Sequence, residues 1–186
     1  MKHRSLVAFV VLPILSSCAT VPRVNFADSV PVVAVLDVAP GYKRALSLNI
    51  PDSRVIQVRV VNIRQNPTKK WMPTAFIALN SEESDVTYGL NITTDTNLQK
   101  QYVQARVIDL KAKSELSNYK HHQQFPGSSE NVLKIEISGT SIRSFINGTL
   151  VEQRELPFEP TYYDIGASSG SYRLTVIEPP PPPAPE

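Results

Sequence analysis

Between residues 30 and 177 the chain alternates apolar and polar positions with a period of two, in short runs separated by turn residues. Two is the strand period, because successive side chains along a strand point to opposite faces. Residues 54–64, RVIQVRVVNIR, show it most clearly, with Ile56, Val58 and Val60 on one face and Gln57 and Arg59 on the other. The same reading predicts strands over 30–38, 45–50, 73–79, 86–93 and 101–110. Their inward positions are Ala75, Ile77 and Leu79, then Val86, Tyr88, Leu90 and Ile92, then Val103, Ala105 and Val107. Strands over 161–167 and 171–177 close the pattern, the second with Tyr172, Leu174 and Val176 inward. Residues 66–70, 80–85 and 94–99 carry turn and loop chemistry. Residues 111–129 are irregular: KAKSEL suits a helical turn or a further strand, and NYKHHQQFPGSS reads as a loop.

The strongest local signal is residues 131–156, NVLKIEISGTSIRSFINGTLVEQREL. Asn147-Gly148 suits a type I′ turn, which needs φ > 0 at both central residues, and Gly139-Thr140 suits a type II′ turn. Two two-residue loops fix the pairing of three antiparallel strands: Ile137 with Ile142, Glu136 with Arg143, Phe145 with Leu150, Arg143 with Glu152. One face then collects Leu133, Ile135, Ile137, Ile142, Ile146 and Val151, and the other carries a Glu136–Arg143–Glu152 ladder. A one-residue slip would scramble both faces, so the apolar partition supports the register.

The count comes to about ten to twelve short strands, with no helix-period segment long enough to cover a sheet. Two sheets packed face to face bury such strands most economically. The predicted fold class is therefore all-β, an antiparallel β-sandwich.

The N-terminal stretch departs from this pattern. Lys2, His3 and Arg4 precede a ten-residue apolar run, residues 6–15, too short to span a bilayer as a helix. Leu15-Ser16-Ser17-Cys18 follows, and Cys18 is the only cysteine, which excludes an intrachain disulfide framework. This arrangement resembles the processing site of bacterial lipoproteins. The resemblance implies removal of residues 1–17, acylation (including palmitate) of Cys18, and a membrane attachment through that lipid. Ala19 after the cysteine implies the outer membrane rather than the inner. The expected organisation is a signal peptide over 1–17, a lipidated tether over 18–29, a sandwich domain over 30–178 and a proline-rich tail over 179–186. Loss of Lys2 and Arg4 leaves 17 Lys+Arg against 17 Asp+Glu, so no basic surplus argues for nucleic acid as a partner.

From Trp71 to Ile177 the chain resembles a laminin G-like or concanavalin A-like jelly-roll domain. The residues that carry the likeness are Trp71 leading into TAFIALNS, VTYGLNIT, NVLKIEISGTSIRSFINGTLV and YDIGASSGSYRLTVIE. The resemblance implies a jelly-roll sandwich and, by fold analogy alone, contact with carbohydrate. Glycoside hydrolases of this fold place two carboxylates at a set separation, often as E-x-D-x-E along one strand. No such motif occurs here, and Glu82, Glu83 and Asp85 are crowded into one loop. A relative of the keto-disaccharide hydrolases that share the fold is an alternative, with no catalytic residue assignable from the sequence.

Other candidate chemistry is sparse. His121-His122 lacks further ligands nearby, and Asp95 and Asn97 fit a turn better than a calcium loop, so neither a metal nor a cofactor is expected. Four aromatic residues are candidates for stacking on a sugar: Trp71, Tyr119, Tyr162 and Tyr163. The expected function is a non-catalytic binding module of an envelope lipoprotein, with a glycan or an envelope protein as partner. The alternatives are a glycoside hydrolase-like enzyme and an assembly lipoprotein that recognises protein through a sheet edge or its proline-rich tail.

Overall fold

The structure is a computed structural model that describes residues 9–10, 32–65, 71–95, 100–126 and 130–177. Cys18, the tether and the proline-rich tail lie outside the described residues. Eleven strands run in chain order: β1 (Phe9–Val10), β2 (Val33–Asn49), β3 (Val55–Gln65), β4 (Thr74–Ser81), β5 (Ser84–Asp95), β6 (Lys100–Asp109), β7 (Ser114–Pro126), β8 (Glu130–Ser138), β9 (Ser141–Ile146), β10 (Thr149–Glu155) and β11 (Tyr162–Val176). Among the described residues there is no helix. β1 belongs to the segment read as a signal peptide and pairs in parallel with the start of β2; every other pairing is antiparallel.

The hydrogen-bond ladder is continuous, yet it divides into two layers because β2 and β11 bend together. On one side of the bend the order is β10-β9-β8-β3-β11-β2, using residues 170–176 of β11 and 33–38 of β2. On the other it is β2-β11-β4-β5-β6-β7, using residues 162–168 of β11 and 43–49 of β2. At the bend four residues of β2, numbers 39–42, stand opposite the single Ser169. Gly41 has φ +82° and Ser169 +56°, both left-handed, and the Gly41 N–H donates to Ser169 Oγ at 3.1 Å. Prolines and glycines that punctuate the sequence at 39–44 and 168–170 thus mark one shared crease. The four strands expected at 30–38, 45–50, 161–167 and 171–177 are two long ones.

The predicted inward positions form one contiguous core. Ile56, Val58 and Val60, Leu133 and Ile135, and Leu174 from the first sheet meet Ile77 and Leu79, Leu90, and Ala105 from the second. A second correction concerns residues 111–129, where β7 replaces the expected loop and pairs with β6. Among the described residues it is the edge strand of the second sheet, with a ladder partner on one side only. A polar sequence there is the usual protection against pairing with another chain, and it hides the strand from an apolar-alternation reading.

The two tight turns are as read: Gly139, Asn147 and Gly148 have positive φ. Ile137 pairs with Ile142, Glu136 with Arg143 and Phe145 with Leu150. The third rung of the ladder differs. A bulge between Leu150 and Glu152 sets Glu152 opposite Ser144 and Gln153 opposite Arg143. The extra residue rotates the strand, so that Val151 is in the core and the Glu152 side chain is only 7% exposed. Glu152 is an inward residue, not a member of a surface ladder.

Candidate functional site

The outward face of the second sheet gathers polar side chains from five strands. One cross-strand row reads Ser47, Asp164, Ala78, Gly89, Arg106, from β2 through β11, β4 and β5 to β6. The adjoining row reads Ala45, Gly166, Phe76, Asn91, Gln104. Small residues at the middle of the first row make a low floor between Asp164 and Arg106, which stand three strand spacings, about 14 Å, apart. A Cβ placed on Gly89 would meet only the Asn91 side chain, at 3.7 Å, so the floor is open.

Asp164 is held on both oxygens. Ser47 Oγ donates to Oδ1 at 2.5 Å, and Asn80 Nδ2 donates to Oδ2 at 3.1 Å. Asn80 is oriented in turn by the Thr87 hydroxyl, which donates to its Oδ1 at 2.7 Å. This is a relay of side chains from four strands that fixes one carboxylate in place. Phe76 is 5% exposed although it points outward, because Lys43 reaches over it, with Nζ 4.2 Å from the ring centroid. Burial lowers the pKa of Lys43, the charge of Asp164 opposes that shift, and the charge of Arg106 adds to it. Arg106 pairs with Glu115 on the edge strand, Nε to Oε1 at 3.3 Å.

The four aromatic candidates do not converge. Trp71 is 45% exposed and sits at the crease, its indole against Gly41. Tyr162 lies on the outward face in the row of Asn49 and Asn80. It is six residues along β11 from the crease residue Ser168, about 20 Å from it. Tyr163 is 4% exposed in the core, where burial pushes its hydroxyl up to about 12. Tyr119 stands opposite Ala105 in the β6–β7 ladder. Trp71 and Tyr162 therefore mark opposite ends of one face, whose centre is Lys43, Phe76, Asp164 and Arg106. Sequence reading missed that centre: its members are scattered over four strands, and 39–44 reads as a gap. The outward alternation of 43–49 and 162–168 was the available signal.

Two further concavities lie among the described residues. One of about 820 Å³ opens between residues 50–54, 81–84 and 157–161, and the exposed pair Arg54–Glu159 at 3.2 Å is part of its lining. The other, about 400 Å³, lies over Glu136, Ser141, Arg143 and Gln153 on the first sheet. Among the described residues no three His, Cys, Asp or Glu side chains are gathered to hold a metal ion.

No protein-family profile and no curated protein sequence matches the chain. Solved structures do match it in fold. An endo-acting O-glycanase of the human gut microbiota that initiates mucin breakdown superimposes with TM-score 0.52 at 8% identity, over 78% of this chain and 76% of its own. The Crh5 transglycosylase in complex with NAG gives TM-score 0.52 at 9% identity, over 80% and 73%. The galectin LEC-6 of Caenorhabditis elegans gives 0.47 at 13% identity, over 83% and 94%. The fold is an antiparallel β-sandwich of the concanavalin A-like jelly-roll class.

Proposed function

We propose that the chain is a non-catalytic glycan-binding module of a bacterial envelope lipoprotein, tethered through Cys18 to the outer membrane. The observation that carries the binding reading is the fixed carboxylate of Asp164 on the same face as the open floor at Gly89. A pre-oriented polar group over a low floor suits a sugar, because the ordering cost is met before the ligand arrives. The glycanase and the transglycosylase of similar fold lend this reading support by analogy only.

Carboxylate placement favours binding over hydrolysis. A glycosidase needs a second carboxylate about 5–9.5 Å from the first. Among the described residues, the positions flanking Asp164 on β2, β4 and β5 carry Ala45, Asn49, Phe76, Asn80, Thr87 and Asn91, none of them acidic. Glu115 is on β7, four strands away, and engaged by Arg106.

The attachment reading rests on the signal-like segment and on where the chain enters the sandwich. The Val176 N–H donates to the Val32 carbonyl, so both chain ends leave from the same end of the sandwich. Residues 18–31 could span roughly 45–50 Å if extended, enough to hold the sandwich clear of a lipid surface.

The test is a glycan array probed with the full chain in detergent, beside an Asp164→Ala variant. Retention of at least one glycan, weakened about tenfold or more in the variant, is expected. Equal retention by both chains would move binding away from this face. For the anchor, an alkynyl fatty acid supplied to expressing cells should label the wild type and not Cys18→Ser. Equal labelling would remove Cys18 as the lipidation site.

A further inference from the structure

The outward face keeps unused hydrogen-bond donors beside its fixed carboxylate. Asp164, its central acceptor, already receives hydrogen bonds on both oxygens. The donors are not used up. Among the described residues Lys43 makes no hydrogen bond or ion pair, and its ammonium rests on the Phe76 ring. Arg106 gives Nε and one Nη to Glu115, at 3.3 and 3.5 Å, and among the described residues makes no other hydrogen bond. A guanidinium has five N–H donors, so three remain. Both cations border the floor, Lys43 above Phe76 and Arg106 beside Gly89 in the next strand. Their like charges oppose one another, while the charge of Asp164 favours that of Lys43. An anion placed between them would remove that repulsion and supply the acceptors both lack.

We infer that the sugar taken by this face is acidic, its anionic substituent lying over Gly89 between Lys43 and Arg106. The inference rests on the glycan-binding reading above. The shared chemistry is an oxyanion, which is a carboxylate in a uronic or sialic acid and a sulfate ester in a sulfated glycan. The neutral part of the ring would lie toward Asn91 and the Asp164 relay. A carboxylate or sulfate desolvated on this floor meets one point charge and one planar fork, and charge-assisted hydrogen bonds of this sort are about twice as strong as neutral ones.

The experiment uses the full chain in detergent against matched ligand sets: oligouronates and their methyl esters, sialylated and desialylated oligosaccharides, and sulfated and desulfated oligosaccharides. Affinity is read by microscale thermophoresis. At least one acidic ligand should bind about 10- to 100-fold more tightly than its neutral counterpart, and the preferred set tells carboxylate from sulfate. Lys43→Gln should erase that preference, so that acidic and neutral counterparts bind the variant within about threefold of one another. Gly89→Tyr, which fills the open floor from an ordinary strand position, should abolish binding of both, with the thermal midpoint checked to confirm folding. Equal affinity for acidic and neutral partners, with binding still lost in Gly89→Tyr, overturns the inference and leaves the glycan reading standing. Binding that survives Gly89→Tyr in the folded variant overturns the location. Binding to no member of any set overturns both the inference and the reading beneath it.

Discussion

The Tyr88 hydroxyl, carried by the second sheet, donates to Glu152 Oε2 of the first at 3.1 Å, across the middle of the sandwich. Ser144 Oγ lies 2.7 Å from the same hydroxyl, and Arg154, two residues further along the bulged strand, pairs with Glu152. A phenol has one proton to give. With the charged carboxylate taking it, Ser144 must be the donor to Tyr88. Burial, reinforced by the charge of Glu152, pushes the Tyr88 pKa well above the usual phenol value, so the hydroxyl stays a donor at any working pH. Deleting the carboxylate would strip the Glu152 ion pair from Arg154 and force the Tyr88 and Ser144 hydroxyls to share one acceptor between them. Glu152→Ala should therefore cost about 3–5 kcal/mol, against about 1–2 kcal/mol for Tyr88→Phe. Urea denaturation of both variants checks this. Near-equal costs would mean that the carboxylate is solvated and the cluster is not a single unit.

The crease makes a different demand. Gly41 has φ +82°, and a Cβ there would lie 2.9 Å from Trp71 Nε1 and 3.2 Å from Cε2. Gly41→Ala should destabilise by about 1–3 kcal/mol through left-handed strain and this clash together. In a double-mutant cycle, Trp71→Ala removes the second cause and keeps the first, so the two changes should couple favourably by about 0.5–1.5 kcal/mol. Strict additivity would indicate that the indole swings aside at no cost.

How much of this was legible in the sequence depends on whether the causes are local. Strands β3, β5, β6 and β8 announced themselves because each buries one face, and Asn147-Gly148 fixed a turn by its own backbone chemistry. β7 stayed hidden because an edge strand has no apolar face to display along its whole length. The crease was read as two pairs of strands because a bend and a chain break use the same residues, and only the partner strand tells them apart. Glu152 was misplaced by one residue, since a bulge leaves no mark in an alternating pattern. Alternation could place Lys43 and Asp164 on outward faces, but it could not bring the Lys43–Phe76–Asp164–Arg106 group together, because that depends on strand order, which periodicity does not encode.

Asn147 has a second role beyond its turn. Its Oδ1 accepts from the Val132 N–H at 2.8 Å, and its Nδ2 donates to Asn131 Oδ1 at 2.9 Å. Asn131 passes the chain on to Gln101 in the second sheet at 3.2 Å, so the amides tie a turn of one sheet to a strand of the other. Asn147→Gly keeps a residue at home with φ +50°. It should nevertheless lose about 1–2 kcal/mol, because it strips two hydrogen bonds and leaves the Val132 N–H unmet. A neutral or stabilising outcome in thermal denaturation would reduce Asn147 to its turn conformation alone.

On the outer face of the first sheet Glu136 accepts from Lys134 Nζ at 2.7 Å, and Arg143 approaches its other oxygen at 2.5 Å. The Lys134 hydrogen bond is the largest cause holding the Glu136 carboxyl below its ordinary value of 4.5. A depressed pKa in the folded state means that the carboxylate supports folding above the ordinary value, and that this support is lost as the pH falls through the lowered one. Glu136→Gln should flatten the acid limb of the stability profile below about pH 5. Superimposable acid limbs for the two proteins would assign the loss to other carboxylates.

At the alkaline end the sign is reversed. Tyr163 is 4% exposed, and burial raises its hydroxyl from 10.0 to about 12. A raised pKa in the folded state means that the neutral phenol supports folding fully below pH 10. That support drains away as the pH rises toward 12, because the unfolded chain releases this proton first. The slope from one such group is about 1.4 kcal/mol per pH unit across that window. Tyr88 and Tyr172 are raised by burial as well, so the wild type should lose stability steeply above pH 10. Tyr163→Phe keeps the ring in the core and removes the proton. Its urea-derived stability should match the wild type near pH 7 to within about 1 kcal/mol, then fall less steeply between pH 10 and 12 by roughly one proton's worth of slope. Parallel slopes in that window would mean that the Tyr163 hydroxyl reaches solvent and titrates as it does in the unfolded chain.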